Sequence, residues 1–465
     1  MLAILPLLPS LWGLLSWMTL LLAPLAWPVF HRRSWRFCGE FFLSQWRGIA
    51  ILAFGPVGLY VASAHLSARQ NVGGVPRPLP ADGWPVARGS ILRTGSDGTP
   101  GPRQGGVSWV GRADHAFYSS PAVCGNYVYA VGSRGNASRC FAWDIRTGQE
   151  AWSGGPSDFR VTFSSPVLYQ GWIYCGEGLH HTPRARVLCL NPSYRDERSV
   201  AWQWSTASHV ECTPVCADGR VYVAAGDDGV YCFDADPAAP PEQRLRWHVP
   251  GDRLSDAETA LVVRNDRVYV GLGFGGSAVV MLDADTGREL RRTVLPWPVF
   301  TPPAWFADGW LIGMGPGNLL TAAHAGPGEI RCLDPDTLQT RWSRIIPAST
   351  LCAPAIRQDE AVVTIADGHV LVLNRQGEVV RQWKSPAPIA ASPAVAGDMI
   401  YCVDHEGLLT GLDAQRLSPA WQVTLGPAGL YVSGPVVAQG RIVVGTPAGL
   451  VCVGSPSTTT SSSGP

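Results

Sequence analysis

Between Ser119 and Gly454, short apolar stretches with alternating polar positions return eight times along the chain. Each copy opens with a small residue before proline, passes a turn rich in Gly, Asn and Asp, and continues into a β-branched or aromatic strand. A further apolar run ends in Asp or Asn, and most copies close on a strand that contains Trp. No single copy could bury its apolar face alone, so neighbouring copies must pack together. A repeat of short strands with this period predicts an all-β fold, an eight-bladed β-propeller.

Proline marks the start of the first strand in nearly every copy, because a residue without an N–H is tolerated at the first position of a strand. Leu261 takes its place in the fourth copy. The Asp that ends the third strand is expected to start a turn, in which its side chain accepts hydrogen bonds from backbone N–H groups two residues on. The opening prolines are Pro121, Pro166, Pro214, Pro303, Pro354, Pro393 and Pro435.

A tryptophan on the last strand of most copies is the largest apolar side chain of the repeat. A buried indole hides roughly 150–250 Å², so we expect these residues to pack between neighbouring blades. The eighth copy has no such strand after it, whereas residues 107–110 precede the first copy and contain Trp109. We therefore expect this N-terminal strand to complete the last blade, which gives a closed propeller over residues 107–454. The predicted blade tryptophans are Trp109, Trp152, Trp204, Trp247, Trp342, Trp383 and Trp421.

The repeat resembles that of the pyrroloquinoline quinone (PQQ)-like propellers, whose blades run from small-Ser-Pro through Val-Tyr-Val to Leu-Asp-x-x-Thr-Gly-x-x-x-Trp. The first copy matches nearly throughout, from residues 119–121 to Asp144, Thr147, Gly148 and Trp152. The sequence Trp-Pro-Val-Ala-Arg-Gly-Ser at residues 84–90 is similar to the lead-in segment of that family. The resemblance implies one of two kinds of protein: PQQ-dependent dehydrogenases, or non-catalytic scaffolds similar to the propeller lipoprotein of outer-membrane β-barrel assembly.

Charge balance and cysteine positions argue against several classes of binding site. The 465 residues contain 36 Lys and Arg and 36 Asp and Glu, and a net charge of zero gives no reason to expect nucleic acid as a partner. Several of the 12 cysteines occupy positions of small residues in the strands, which favours buried thiols over one or two disulfides. No Cys-x-x-Cys pair is present, which argues against a zinc or redox site of that type.

The N-terminal segments predict a membrane anchor over residues 1–66. Residues 2–30 and 48–64 are apolar and are expected to form two transmembrane helices; the alternative is one signal-anchor followed by an amphipathic stretch. The basic loop between them should be cytoplasmic, so the propeller lies outside the cytoplasm, at the cell (inner) membrane. Residues 67–106 are expected to be an extracytoplasmic linker with the lead-in segment, and residues 455–465 a disordered tail.

Three short motifs suggest binding sites that their context does not support. Residues 271–276 fit Gly-x-Gly-x-x-Gly, but a strand follows instead of a helix, so we expect a hairpin. Asp283 and Asp285 resemble the start of a calcium loop, which needs further oxygen ligands and a late Glu; the same turn recurs in other copies with different residues, so a structural turn is expected. His180 and His181 have no third ligand nearby in sequence, and we expect an exposed loop without a metal.

Residues just before the opening prolines form the candidate binding site. In a propeller these positions lie where the chain turns toward the central channel, and here they place both charge signs on one rim. Converging polar groups around an apolar opening favour ligand binding, whereas the alternative is a solvated rim with internal ion pairs. The candidate rim residues are Tyr118, Arg160, His209, Glu211, Asp256, Glu258 and Tyr431.

These patterns favour a membrane-anchored, non-catalytic propeller that binds a protein, peptide or glycan partner. The alternative is a membrane quinoprotein dehydrogenase that uses PQQ and calcium. Many alcohol-oxidising members of the family carry an adjacent Cys-Cys pair at the cofactor, which is missing from this sequence, and the blades here lack the long insertions of catalytic members. Neither the family's calcium-binding set nor its catalytic Asp matches a motif, so no catalytic residue, metal ligand or cofactor is predicted.

Overall fold

The computed structural model describes residues 83–85, 88–90, 92, 94–96, 100–180 and 182–454. All of these residues belong to the second of two compact units, Val72–Pro465. The predicted membrane anchor, residues 1–66, and the predicted tail, residues 455–465, lie outside the described residues. Within the described part of the chain, no helix has the length and apolar character that a membrane crossing requires.

Eight antiparallel sheets follow one another along the chain, which confirms the eight-bladed propeller. Blades 1 to 4 contain β1 (Gly83–Trp84), β3 (Ala122–Cys124), β4 (Tyr127–Arg134), β5 (Ala137–Asp144) and β6 (Glu150–Gly154); β7 (Val167–Tyr169), β8 (Trp172–Gly176), β9 (Arg186–Leu190) and β10 (Val200–Ser205); β11 (Val215–Ala217), β12 (Arg220–Ala224), β13 (Val230–Asp234) and β14 (Leu245–Val249); β15 (Val262–Arg264), β16 (Arg267–Gly271), β17 (Ala278–Asp283) and β18 (Glu289–Val294).

Blades 5 to 8 repeat the same four-stranded order. They contain β19 (Ala304–Phe306), β20 (Gly309–Met314), β21 (Gly328–Leu333) and β22 (Thr340–Ile346); β23 (Ala355–Arg357), β24 (Glu360–Thr364), β25 (His369–Leu373) and β26 (Val379–Lys384); β27 (Ala394–Ala396), β28 (Met399–Val403), β29 (Leu408–Asp413) and β30 (Ser418–Thr424); β31 (Val436–Ala438), β32 (Arg441–Thr446), β33 (Gly449–Val453) and β2 (Val107–Gly111). Among the described residues, a 3₁₀ turn, Glu197–Ser199, lies between β9 and β10, and one short helix, α1 (Pro241–Arg244), lies between β13 and β14.

The first strand of each blade is the innermost, since first strands of neighbouring blades contact one another, as β3 does with β7 and β31. The opening proline precedes this strand, as predicted. Apolar side chains from facing sheets form separate cores between the blades. Val187 and Cys189 of blade 2, for example, pack in one cluster with Val221 and Phe233 of blade 3. The hydrophobic core is therefore distributed around the ring.

The N-terminal strand closes the ring, as the sequence predicts. Strand β2 pairs with β33 in the last blade, and Trp109 lies opposite Cys452. The indole N–H of Trp109 donates to the carbonyl oxygen of Ile145 in blade 1 at 2.9 Å. This contact connects the last blade to the first.

The lead-in segment contributes to the ring as well. Strand β1 pairs with β3 on its inner edge. Backbone carbonyls farther along the segment accept hydrogen bonds from first strands of other blades: Pro85 O from Leu168 N at 2.8 Å, and Gly95 O from Val395 N at 2.9 Å. The buried Arg88 guanidinium donates to carbonyl oxygens of the segments that open blades 6 and 7. The described residues of the lead-in segment thus lie along the inner strand edges, because their carbonyls accept hydrogen bonds there.

All seven predicted blade tryptophans lie on the last strand of their blade, but two of them differ from the others in register. In most blades the tryptophan lies opposite a small residue of the third strand, beside a β-bulge, as Trp247 lies opposite Cys232. In blade 2 this position belongs to Trp202, and Trp204 lies two residues farther along β10. In blade 6 it belongs to Arg381, and Trp383 is displaced in the same way.

The turn and thiol predictions are confirmed. The Oδ1 atom of Asp283 accepts hydrogen bonds from the backbone N–H groups of Asp285 and Thr286, as a structural turn requires. Residues 272–277 connect β16 to β17, so the glycine-rich motif is a hairpin. The cysteines opposite or beside blade tryptophans are buried thiols that form no disulfide in the described chain; these are Cys189, Cys232, Cys332 and Cys452.

Candidate functional site

Buried neighbours position the rim residues at one opening. Val210 and Ala257 lie in the connections that lead into blades 3 and 4, and both side chains are fully buried. Ala257 forms backbone hydrogen bonds with Gly226 at 3.0 and 3.2 Å, which hold this connection against blade 3. Asp256 has a left-handed backbone, with φ at +58°, so the chain turns next to the buried Ala257. His209 and Glu211 flank Val210, and Asp256 and Glu258 flank Ala257.

Four side chains on this rim converge into one group, which we call the rim cluster: His180, His209, Glu211 and Glu258. Their ligand atoms all lie within 4.8 Å of one another. Oε1 of Glu258 is 2.9 Å from Nε2 of His209 and 3.2 Å from Nδ1 of His180. The backbone N–H of His180 donates to Oε2 of Glu211 at 3.0 Å. A single carboxylate oxygen thus contacts two imidazoles from different blades.

Glycines make room for the cluster. A Cβ atom at Gly226 would lie 2.3 Å from Cε1 of His209, and one at Gly273 would lie 2.5 Å from Oδ2 of Asp256 and 2.9 Å from Cγ of Glu258. All three distances are shorter than van der Waals contact, so a larger residue at either position would displace these side chains. The backbone N–H of Gly275 donates to Oδ2 of Asp256 at 3.1 Å, which fixes a third carboxyl next to the cluster.

Two arginines stabilise the loop that carries His180 through hydrogen bonds. Arg160 donates to the carbonyl oxygens of Pro183 and Arg184 at 3.1 and 3.0 Å. At the base of the loop, Arg186 donates to both carboxylate oxygens of Glu177 at 2.7 and 2.8 Å, and Glu177 is 1% exposed. The guanidinium of Arg160 therefore binds backbone of the loop that carries His180 and is not a member of the rim cluster.

The electrostatics of the cluster separate its carboxyls into two kinds. Burial opposes ionisation of Glu258, but hydrogen bonds from His180, His209 and Asp256 outweigh it and lower its pKa. Burial, together with the charge of Glu258, raises the pKa of Glu211 to about 7. Burial and the hydrogen bond with Glu258 raise the pKa of Asp256 to about 6. Glu258 is therefore the carboxyl whose charged form the surroundings favour most, whereas burial favours the neutral forms of Glu211 and Asp256.

The imidazoles respond to the same carboxylate. The hydrogen bond to Glu258 raises the pKa of His180 to about 9, although partial burial acts against it. Burial lowers the pKa of His209, but the hydrogen bond to Glu258 more than compensates and raises it overall. Clusters of strongly perturbed groups concentrate at functional sites, although structural ion-pair networks produce them too.

Two predicted rim residues lie apart from the cluster. Tyr118 is half-buried and contacts Phe163 edge to face, with ring centroids 5.6 Å apart. Tyr431 is completely buried in the core between blades, and its hydroxyl donates to the carbonyl oxygen of Pro427 at 2.9 Å. Neither is close enough to the cluster to share a hydrogen bond with it, and Tyr431 is a core residue.

His180 is the one member of the rim cluster that was not among the rim residues predicted from the sequence. It is exposed, as expected, with 44% of its side chain accessible. It follows the second strand of blade 2, whereas the other members precede the first strand of a blade. In a four-stranded antiparallel blade, the connection from the second to the third strand lies at the same end as the connection to the next blade. A histidine directly after a second strand could therefore have been predicted to lie on the same rim as the residues that precede the first strands.

The rim cluster does not fit PQQ with calcium. That cofactor is a planar tricarboxylate, and here it would face the carboxyls of Glu211, Asp256 and Glu258. Calcium prefers oxygen ligands, whereas two of the four donors are imidazole nitrogens. From β2 onward, the longest connection between consecutive strands is residues 315–327, so no long insertion covers the ring.

The fold and the repeat define the class: this is an eight-bladed PQQ-like propeller. Residues 164–299 and 328–459 match the family model described as "Outer membrane protein assembly factor BamB", and the chain belongs to this family.

Comparison with individual proteins gives the same fold. The BamB structure from Moraxella catarrhalis superposes with a TM-score of 0.58 at 14% identity and covers 75% of this chain and 99% of that one. The quinohemoprotein alcohol dehydrogenase from Comamonas testosteroni gives 0.63 at 12% identity, covering 80% of each chain. An uncharacterized protein of Rickettsia conorii is 25% identical over 178 residues, which are 34% of this chain and 40% of the relative's length.

Proposed function

We propose that this protein is a non-catalytic binding module, anchored in the inner membrane, that recruits a protein, peptide or glycan partner outside the cytoplasm. The observation that carries the proposal is the rim cluster, in which side chains from separate connections converge on one open face. A shallow depression of about 240 Å³ lies on the same loops, lined by Thr182, Pro183, Ser208 and Asp227 among others. The open face suits a macromolecular partner better than an enclosed small molecule.

The similarity to BamB supports a scaffold role more than the dehydrogenase alternative. This chain covers 99% of the BamB structure, so the bare ring accounts for nearly all of that relative. The dehydrogenase leaves a fifth of its chain unmatched. The short connections between strands and the carboxyl-rich rim also favour a scaffold over a PQQ-dependent dehydrogenase.

Photo-crosslinking from the two faces tests the binding role. A photoreactive residue replaces Asp227, which is exposed on the face of the rim cluster, or Arg146, which is exposed on a turn at the opposite face. In membranes of the native host, the full-length chain should give a discrete adduct from position 227 and none from position 146. Adducts from position 146 alone, or from neither position, would contradict the proposed binding face.

The membrane placement has its own test. Alkaline phosphatase fused after residue 454 should be active if the propeller lies outside the cytoplasm, and the fusion should remain in the membrane fraction after a salt wash. An inactive fusion, or one released by salt, would contradict the placement and leave the crosslinking result to stand alone.

A further inference from the structure

We propose that His180, His209, Glu211 and Glu258 form a binding site for one divalent transition-metal ion of the zinc class. This inference goes beyond the proposed scaffold role and does not depend on it. It also departs from the expectation, based on the sequence, that the chain holds no metal site.

The spacing of the four donors suits such an ion. Bonds of about 2.0–2.2 Å in a tetrahedral zinc site place neighbouring ligand atoms roughly 3.3–3.6 Å apart. The rim cluster already holds Oε1 of Glu258 at 2.9 and 3.2 Å from two imidazole nitrogens, and all four ligand atoms lie within 4.8 Å of one another. Small side-chain rotations would therefore bring the donors to coordination distance.

The chemistry of the donor set selects the class of metal. Imidazole nitrogen suits zinc, copper, iron and nickel, whereas sites for magnesium and calcium are built from oxygen. Two carboxylates balance the charge of a divalent ion, and two neutral imidazoles complete four-coordination without adding charge. A buried site of this kind needs no further counter-ion.

The surroundings resemble the outer shell of a metal site. Metal-bound histidines generally use their second ring nitrogen for a hydrogen bond that fixes the ring. The Nδ1 atom of His209 lies 3.1 Å from Oγ of Ser208. The Sγ of Cys212 donates to the carbonyl oxygen of Glu258 at 2.7 Å, and this fixes the backbone of the residue that contacts both imidazoles.

An ion could reach the site from solvent. His209 and Glu258 are 2% and 9% exposed, whereas 44% of the His180 side chain is accessible. The buried donors lie at the bottom of the site. His180 lies on its solvent side, on the loop that accepts hydrogen bonds from Arg160. This gives an entrance on the same face as the proposed binding surface.

Metal titration of the full-length protein tests the inference. After treatment with a chelator, the protein is titrated with Co²⁺, whose visible absorption reports tetrahedral coordination, and with Zn²⁺ in competition. We expect one ion per chain and a rise in melting temperature on binding. His180→Ala and Glu211→Gln should each weaken binding at least about tenfold. His324→Ala, which removes an exposed histidine from the 315–327 connection at the same face, should leave it unchanged.

Each outcome decides the question. Stoichiometric tetrahedral Co²⁺ that is weakened by both cluster variants and not by His324→Ala supports the site. A protein that binds no ion shows that the cluster is a hydrogen-bond network alone. Equal binding by the parent chain and by both cluster variants places the ion elsewhere. Either of the last two results overturns the inference, and neither bears on the crosslinking test.

Discussion

At the scale of single residues, Glu258 organises the candidate site. One of its oxygens contacts both His180, from the connection between β8 and β9 of blade 2, and His209, from the connection between blades 2 and 3. The sequence could indicate Glu258, His209 and Glu211, because all of them stand close before an opening strand. It could not assign His180, because the contact depends on where a loop of blade 2 folds back over the ring.

The pH dependence of stability tests this arrangement in metal-free protein. The pKa of His180 is raised to about 9 by Glu258, so the folded state binds this proton more tightly than the unfolded state does. The stabilisation is then complete below the unfolded value of about 6.5 and is lost as pH rises through about 9. The melting temperature of the parent chain should exceed that of His180→Ala by more at pH 6 than at pH 10, measured in a chelating buffer.

The comparison reports His180 together with its effect on Glu258, Glu211 and Asp256, because His180 lowers the pKa of each of these carboxyls. A difference in melting temperature that is the same at pH 6 and pH 10 would show that the imidazole and Glu258 are not coupled.

At the scale of the blade, one linkage recurs between neighbours. The indole N–H of Trp247 and the hydroxyl of Tyr222 both reach the carbonyl oxygen of Ala284 in the next blade, at 3.0 and 3.4 Å. In blade 7, Trp421 and Tyr401 share the carbonyl oxygen of Pro102, in the segment that precedes β2, at 3.2 and 3.0 Å. The tryptophan of the last strand and the tyrosine of the second strand thus bind one carbonyl oxygen, which belongs to the next blade in the first case and to the lead-in segment in the second.

The sequence predicted this repeat but not its register in every blade. In blade 2, Trp202 and Trp204 both alternate correctly for one face of a strand. The β-bulge between the third and fourth strands decides which of them lies opposite the small residue, Cys189. Bulges change the pairing without changing the hydrophobic pattern, so pattern alone cannot locate them.

Alanine substitutions on β10 test the register. Trp202 is 8% exposed, and its ring contacts Tyr174, Phe233 and the guanidinium of Arg244. We expect Trp202→Ala to lower the free energy of unfolding by about 3–5 kcal/mol, as for other large buried aromatics. Trp204→Ala, at a half-buried position of the same strand, should cost at least about 1 kcal/mol less. Urea denaturation measures both, and a larger loss for Trp204→Ala would contradict the assigned register.

At the scale of the whole molecule, residues upstream of β3 contribute to the propeller in two ways. Strand β2 closes the last blade, and the lead-in segment satisfies inner edges of blades 1, 2, 5, 6 and 7. The number of blades and the closing strand could be predicted, because both follow from the repeat. The path of the lead-in could not, because it binds through backbone carbonyls and has no apolar period.

Two glycines with the same backbone geometry test the fit of the lead-in. Gly95 and Gly125 have φ values of +63° and +55°. A Cβ at Gly95 would lie 2.0 Å from Nη2 of Arg88, whereas nothing lies within 4 Å of one at Gly125. Gly125→Ala should cost about 1 kcal/mol, from the backbone alone. Gly95→Ala should cost about 1–3 kcal/mol more, because it displaces the buried guanidinium.

Thermal unfolding of the two variants gives the comparison. Equal losses of stability would mean that Arg88 does not pack against Gly95, and the lead-in would then lie elsewhere.

We propose that this propeller binds a partner and does not oxidise a substrate through a quinone. Reconstitution tests it most directly: the full-length protein is incubated with PQQ and Ca²⁺, separated from unbound cofactor by gel filtration, and assayed for dye-linked oxidation of alcohols and sugars. We expect the quinone absorbance to elute apart from the protein and the dye to stay oxidised. One equivalent of retained quinone with substrate-dependent dye reduction would contradict the account.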